Sequence, residues 1–565
     1  MPDTETHNEA HRKPVRFGIL CSGINLETWQ ARCLDDLRSA DGVELVQVIL
    51  SLDSRHSSGL NPSLLFRLHL TRLSLTSARR PVELLGAAPN VQRFSCSLDA
   101  SSREDLDKIR ELDLDFILNF SSGQVNREIL SIPRYGVWEF CPAAGIIGRG
   151  IAGFWELYRD DPVIAASLVQ TADSDSGSIV LRQGCLRTDE RSHARTTDQL
   201  LYEMAKWPRR VCTDLLREDA DYFAGPIHRA TPSGAPMPSN LQMLAFGARI
   251  VRRRLQFAWA RLFQHPQWNI GVIAAPIHAL IGSGSTAKVQ WYPLSGRNGF
   301  LADPFGIPRK GGATILCEYY DYRLGKGKIC SIEFDEHTFA TSRRTAIDLP
   351  FHLSYPYLVE SRGEIYCIPE NLRSREVTVF KAERFPDRWE KAGVLLRNVA
   401  AVDTTVFQYD GRWWLMCTDA DAGADLNLFV WHAPDLLGPW TPHARNPVKT
   451  DVRSARSGGT PFFHAGQLYR PAQDCSKRYG WRVALNRITR LTPTEFAEEL
   501  VGIIDPQEQG PFPAGRHTLS AAGDLTLIDG HHFVFVGRAF LNFLKIWFRD
   551  IARSVLPKRW ARDRS

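Results

Sequence analysis

Six carboxylates recur at matching places in the C-terminal half of this 565-residue chain. Asp303 and Asp403 open apolar strands, and Glu318, Glu370, Asp419 and Asp474 close the strands that follow them. Acids brought together from equivalent positions of a repeat form a ring. A ring of carboxylates binds sugar hydroxyls. If one acid keeps its proton while a neighbour is ionised, the ring can also perform acid–base work on a glycosidic bond. Each acid taken singly has a structural alternative, since strand-end carboxylates also cap turns and pair with arginine.

The ring follows from the elements that carry the acids. One unit is written five times: a polar or Pro-containing turn, an apolar strand, a glycine turn and a second apolar strand. The copies start at Ala302-Asp303-Pro304-Phe305, Ser354-Tyr355-Pro356-Tyr357, Asp403-Thr404-Thr405-Val406, Ser457-Gly458-Gly459-Thr460 and His517-Thr518-Leu519-Ser520. Their turn glycines read as Gly312, Gly363, Gly411, Gly466 and Gly530. A period of ~40–50 residues holding several strands describes a β-propeller blade. Five copies predict five blades, closing over residues 266–537.

The totals suit this division. A chain of this length exceeds one core and predicts two or three domains. Hydrophobic content of 44% with 23% charge describes a globular protein. The 15 tryptophans suit blades and sugar stacking. The 11 cysteines are scattered without a CxxC pair, which predicts reduced thiols, and the sequence shows no metal site. Residues 1–14 read as disordered and carry no apolar leader. No run of about 18 apolar residues predicts a spanning helix. The expected location is therefore cytoplasmic.

The N-terminal half alternates strands and helices. Val15–Leu20, Asn25–Arg38 and Val43–Leu50 read strand–helix–strand, and residues 53–83 read as an insertion or mobile loop. Asp115–Ser121, Tyr135–Cys141, Ala165–Gln170 and Gly177–Arg182 read as further strands, and residues 196–218 as a helix. Such alternation predicts an open, mostly parallel α/β sheet over 15–218. Asp115-Phe-Ile-Leu-Asn, Ser121-Ser-Gly, Ile132-Pro-Arg-Tyr-Gly-Val, Arg149-Gly150, Phe154-Trp155-Glu156 and Asp173-Ser-Asp-Ser-Gly resemble the formyltransferase family, which includes methionyl-tRNA and sugar formyltransferases. The resemblance implies a Rossmann-type domain, 10-formyltetrahydrofolate as donor and an amino sugar as acceptor. It also implies an Asn-x-His pair that stabilises the oxyanion, with a downstream Asp that orients the His. Asp175 stands at the Asp position and Arg149 in the substrate loop. Glu139 and Cys141 stand where Asn and His are expected. An ionised Glu repels an oxyanion and a thiol is a weak donor. The segment therefore reads as a formyl-transfer domain, a domain that only binds or supports, or altered chemistry through Cys141.

Across the repeats, Leu301-Ala-Asp-Pro-Phe, Cys317-Glu-Tyr-Tyr, Lys326-Gly-Lys-Ile, Leu353-Ser-Tyr-Pro-Tyr, Ile368-Pro-Glu, Val402-Asp-Thr-Thr, Gly438-Pro-Trp and Arg470-Pro-Ala-Gln-Asp are similar to one module. It is the N-terminal domain of plant glucosamine inositolphosphorylceramide transferase, akin in fold to five-bladed arabinanase-type glycoside hydrolases. The likeness does not extend to the plant glycosyltransferase domain, so sphingolipid glycosylation is not expected. It implies Asp303 as base, with Glu370 or Asp403 as acid or as the neighbour that sets the acid's pKa. Arg456, Arg470 and His517 would bind hydroxyls or a carboxylate beside Glu318, Asp419 and Asp474. Pro304 is expected to hold Asp303 in extended backbone.

Between the halves, 219–265 reads as a Pro/Gly-rich linker and a basic helix, Leu241–Phe263. Residues 538–565 read as a second basic helix and a tail. From Tyr222 to Ala302 there is no acid. These helices are expected to pack on the domains, with peripheral binding to anionic lipid as the second reading. No nucleic-acid module or aromatic–basic interleaving is present, so nucleic acid is not an expected partner. The sequence thus predicts a formyltransferase-like α/β domain fused to a five-bladed propeller, acting on a carbohydrate or glycoconjugate. The expected activity is acyl transfer. The alternative is a glycan-binding or glycan-cleaving propeller beside an inert N-terminal domain.

Overall fold

The computed structural model describes residues 13–52, 62–83, 91–98, 102–121, 125–142, 152–171, 178–217, 227–228, 236–282, 287–294, 296, 298–335 and 338–535. Arg149, Asp175 and the expected helix after 538 lie outside the described residues. The chain divides into two compact units, 1–248 and 249–565.

The first unit is built on an eight-stranded sheet. Five strands run parallel in the order Gln92–Cys96, Val43–Ser51, Val15–Cys21, Phe116–Asn119, Val137–Pro142. Numbered by chain position these are 3-2-1-4-5. Val163–Thr171, Ser178–Arg187 and Ile227–His228 extend the sheet antiparallel. The central strands carry continuous apolar runs because both faces are covered. Phe17, Ile19, Leu20, Ile117, Leu118 and Val137 are fully buried. The helix Thr28–Arg38 covers one face with Trp29, Cys33, Leu34 and Leu37, and a Glu27–Gln30 capping box starts it. The strand order reverses between Val15–Cys21 and Phe116–Asn119, the place where open parallel sheets present ligand crevices.

Two expectations need correction here. Residues 53–83 are not wholly a loop: Leu64–Leu73 is a helix that buries Phe66 and Leu73, and Pro81–Glu83 pairs with Asn25–Glu27. The single helix read at 196–218 is two, His193–Met204 and Trp207–Leu216. Pro208 cannot donate within a helix, and it opens the second one.

The second unit is a five-bladed β-propeller. Blade I is Gly299–Arg309, Gly312–Asp321, Lys326–Asp335 and Thr338–Ile347. Blade II is Ser354–Ser361, Glu364–Glu370, Glu376–Arg384 and Arg388–Arg397. Blade III is Ala401–Tyr409, Arg412–Asp419 and Asn427–Ala433, edged by Thr441–Pro442 and Lys449–Thr450. Blade IV is Phe462–His464, Gln467–Asp474, Arg482–Leu491 and Phe496–Ile504. Blade V joins both ends of the unit: Leu519–Ala522 pairs with Leu525–Phe535, which pairs with Gln264–Ile273, which pairs with Gln290–Trp291. This join closes the ring and removes its free edge. Apolar residues pack between blades, as in the cluster of Phe305, Tyr355, Tyr357, Val406, Trp413 and Leu415.

The fifth turn glycine is Gly523, at φ +61°, between Leu519–Ala522 and Leu525–Phe535. Gly530 instead lies inside the second strand, where a Cβ would stand 2.8 Å from Trp291 and 3.0 Å from Phe512. In sequence, a glycine required for close packing looks the same as one required for a turn.

Candidate functional site: carboxylates on the propeller axis

The innermost strands share one local device. In blades I, II and III the pairing with the next strand slips between Ala302 and Phe305, Ser354 and Tyr357, and Val402 and Thr405. At each bulge one residue turns left-handed: Asp303 at φ +52°, Tyr355 at +44° and Asp403 at +50°. Asp303 is therefore not extended, as Pro304 suggested. Bulges re-aim a side chain, and Asp tolerates this conformation better than most residues. All three residues are buried, Asp303 and Asp403 each at 3% exposure.

Second strands add the other acids according to register. Glu318 pairs with Ala302 and Glu370 with Ser354, each just before the bulge. In blade III Thr418 holds that place, pairing with Val402, and Asp419 pairs with Ala401. One residue of offset turns a side chain to the opposite face. Asp419 is accordingly outside the cluster and caps a turn by accepting from the Asp421 backbone N–H at 3.0 Å. Asp474 is likewise committed elsewhere, accepting from Arg482 Nε at 2.8 Å and from the Ser476 backbone at 3.0 Å. Arg470 is buried in an ion pair with Glu498, at 2.6 Å. Lys449 lies 2.7 Å from the same carboxylate. Together they hold Glu498 at about 2 against its burial. These three residues serve the fold.

The rest of the set converges. Asp303 Oδ1 accepts from Thr518 Oγ1 at 2.9 Å, and its Oδ2 from the Tyr355 backbone N–H at 3.2 Å. Glu370 Oε2 accepts from the Asp403 backbone N–H at 2.9 Å. Asp403 Oδ2 accepts from Arg456 Nε and Gln473 Nε2, both at 2.5 Å. Arg456 also reaches Asp425 at 3.0 Å and lies over the Tyr479 ring, 4.6 Å from its centre. His517 Nδ1 stands 2.5 Å from Asp529 Oδ2, and its Nε2 stands 3.5 Å from Asp303. Asp529 also accepts the backbone N–H groups of His517, Thr518 and Asp303. Asp303, His517 and Asp529 offer one donor atom each within 4.8 Å of one another, a spacing compatible with a cation where the sequence reading named no metal. Tyr355 crosses from blade II to blade IV, bonding Thr405 at 3.0 Å and the Gly459 N–H at 2.8 Å.

Burial and mutual repulsion separate the acids. Desolvation, then Asp403, pushes Glu370 up to about 8, although Arg456 opposes the shift. Burial raises Asp303 to about 6, offset by His517 and reinforced by Asp403 and Asp529. Glu318 is raised well above the usual range by burial and by Asp303, Glu370, Asp403 and Asp529, and its Oε1 has no hydrogen-bond partner. Asp529 goes the other way. Burial works against its charge, but His517 and the backbone donors prevail and lower it. His517 is raised because its two carboxylates outweigh its burial. Burial thus favours the protonated form of Glu370 more than that of Asp303. Tyr479, 42% exposed, stands against His517 and Arg456.

Asp529, Gln473, Thr518 and Tyr479 were missed from sequence. Asp529 was legible in principle. It follows the turn glycine Gly523 by six residues, close to the seven that separate Gly311, at φ +81° in the first turn, from Glu318, but the misplaced fifth turn hid the match.

In the first unit Glu139 and Cys141 lie on Val137–Pro142 beside the order reversal. Glu139 accepts from Asn119 Nδ2 at 2.7 Å and from Thr171 Oγ1 at 2.9 Å. Burial, then Glu139, pushes the Cys141 thiol up to about 11, which removes it as a thiolate nucleophile at neutral pH.

A sequence model described as glucosamine inositolphosphorylceramide transferase 1, N-terminal, matches residues 282–510. Proteins named glucosamine inositolphosphorylceramide transferase 1 are 39% identical over 210 residues in Oryza sativa subsp. japonica and 37% identical over 205 in Arabidopsis thaliana. Each match takes in 36% and 35% of this chain, but only 28% and 27% of the plant protein. Among solved structures, the family 117 glycoside hydrolase Zg3597 of Zobellia galactanivorans aligns at 17% identity and TM-score 0.32, over 48% of this chain and 91% of its own. Glycinamide ribonucleotide transformylase 1 of Symbiobacterium toebii aligns at 14% identity and TM-score 0.26, over 36% and 89%. At this level the likeness assigns no activity.

Proposed function

We propose that the propeller axis is a saccharide site that performs acid–base chemistry on a glycoconjugate. The observation that carries this reading is geometric: Asp303, Glu370 and Asp403 converge from three blades into one buried cluster with Arg456, Gln473 and His517, and burial there raises Glu370, to about 8, more than Asp303, to about 6. Two carboxyls set apart in this way are the working pair of glycosidic-bond chemistry. Glu370 gives its proton to the leaving oxygen and Asp303 acts as base or nucleophile. Arg456 and Gln473 clamp Asp403, which keeps Glu370 protonated by like-charge repulsion. Tyr479 offers an exposed ring for a sugar face. The plant relatives are named glucosamine inositolphosphorylceramide transferase 1, and the sequence model of that description matches 282–510, within this unit. Glycoconjugate recognition is therefore what passes to this chain under the proposal.

The test is release of reducing ends from, and calorimetric binding to, a panel of glycans and glycolipid headgroups. Wild-type protein and Asp303→Asn are compared with a melting curve for each. Activity or binding lost in a folded variant supports the reading, and equal behaviour of the two proteins overturns it.

The described residues of the first unit do not fit 10-formyltetrahydrofolate chemistry. A hydrogen-bonded glutamate and a thiol raised to about 11 occupy the positions on Val137–Pro142 where oxyanion donors would stand.

A further inference from the structure

Blade V carries a groove of about 460 Å³, within the ~300–1,000 Å³ of small-molecule sites. Its lining combines aromatic rings with side-chain amides: Trp291, Phe512 and His532, with Gln267 and Asn269. Trp291 and Phe512 have ring centres 4.6 Å apart, and Phe512 stacks on His532 at 5.0 Å. The rings lie this close to the sheet because two strand positions are glycine. A Cβ at Gly530 would meet Trp291 at 2.8 Å, and one at Gly271 would meet it at 3.0 Å. Asn269 is 2% exposed. Its Nδ2 donates to the Tyr292 carbonyl at 2.8 Å, while its Oδ1 has no partner. A buried amide oxygen left without a donor is destabilising.

The groove adjoins the axial cluster. Alternation along Gln264–Ile273 sends Gln267 and Asn269 to the groove and Trp268 to the other side, where it stacks on His517 at 4.0 Å. Phe512 lies on the same short segment that leads to His517. One strand and one loop therefore form the wall between the two places.

We propose that this groove is a second saccharide subsite that takes a neutral sugar ring of the same glycan engaged at the axis. The ring packs on Trp291 and Phe512, and a ligand hydroxyl supplies the donor that Asn269 lacks. Among the described lining residues no Asp, Glu, Lys or Arg occurs, so the subsite selects uncharged units while the axis supplies charge. The inference rests on the axial site being a saccharide site.

The experiment follows tryptophan fluorescence and calorimetry of the full chain with the mono-, di- and trisaccharides of the cellulose, laminarin, mannan and chitin series. The expected result is one series whose affinity rises at least tenfold with length in wild type. That gain disappears in Trp291→Ala and in Phe512→Ala, returns in Trp291→Phe, and survives Asp303→Asn in part. Melting curves confirm that the variants fold, and Phe512→Ala decides if Trp291→Ala does not. Binding that both alanine variants retain overturns the subsite and leaves the axial site standing. No binding of any series by wild type overturns both.

Discussion

Glu139, within the strand Val137–Pro142, and Glu370, which closes Glu364–Glu370, both sit among polar neighbours, one in each unit, in contrasting surroundings. Glu139 accepts from two neutral donors, the Asn119 amide and the Thr171 hydroxyl. Glu370 is almost fully buried, accepts one backbone N–H and faces Asp403. The first arrangement satisfies a carboxylate and ties three strands together. The second leaves charge inadequately compensated, and the group keeps its proton instead. A strand-end carboxylate becomes a reagent when desolvation and a like charge outweigh its donors.

The comparison breaks most sharply at Asp303. Replacing it with Asn keeps the shape and tolerates the left-handed backbone, so stability should change by no more than about 1–2 kcal/mol. If Asp303 is the base, glycan turnover should fall by ~10²–10⁴-fold. A melting curve beside the reducing-end assay separates the two effects. Unchanged turnover would make Asp303 a strut like Glu139.

Glu498 is the propeller's own satisfied carboxylate, and it predicts the reverse outcome. Arg470→Ala removes one of its two cations and should cost about 3 kcal/mol, the low end for breaking a buried pair, because Lys449 remains. Glycan binding should not change. The Glu498 carboxyl is depressed to about 2, so its contribution is present above the ordinary carboxylate value of ~4.3 and is lost as pH falls through about 2. Chemical denaturation at pH 7 and pH 3 should therefore show the variant closer to wild type at the lower pH.

The axial pair also sets a pH window. Asp303 must be ionised, so activity falls as pH drops below about 6. Glu370 must be protonated, so activity falls as pH rises above about 8. The expected profile of kcat/KM is a bell between these limbs, each losing about tenfold per pH unit. Glu370→Gln should lower the plateau and remove the alkaline limb. A variant that keeps that limb would shift the acid role to Glu318.

The blades were legible because each repeats strands, turn and bulge at a fixed spacing, and this period survives sequence divergence. Asp303, Glu370 and Asp403 were legible for the same reason, whereas Arg456 and His517 came from the likeness to the plant module. Asp419 was not separable from Glu318 and Glu370, since one residue of register decides which face a side chain takes and turn-to-acid spacing varies by more than that. Arg470 and Asp474 were misread because their partners, Glu498 and Arg482, come from other strands of the blade. Asp529 was hidden by a glycine that serves packing. In the first unit the parallel core and the Glu139–Cys141 positions were readable. The Asn119 and Thr171 donors were not, since sheet order alone brings those strands beside Val137–Pro142.

The smallest expected effect lies on Val137–Pro142, at Glu139 and Cys141. In Glu139→Gln, Oε1 still accepts from Asn119, whose own Oδ1 is fixed by the Ser121 N–H and hydroxyl. The new Nε2 then donates to the Thr171 hydroxyl, which can rotate to accept. Both contacts survive, so stability should change by less than about 1 kcal/mol. Cys141→Ala removes a thiol raised to about 11 and should leave glycan activity unchanged. At pH 7.5 iodoacetamide should label Cys141 far more slowly than an exposed thiol near ~8.5, read by peptide mass spectrometry. Rapid labelling, or loss of glycan activity in either variant, would give these two positions a chemical role and erase the contrast with the axis.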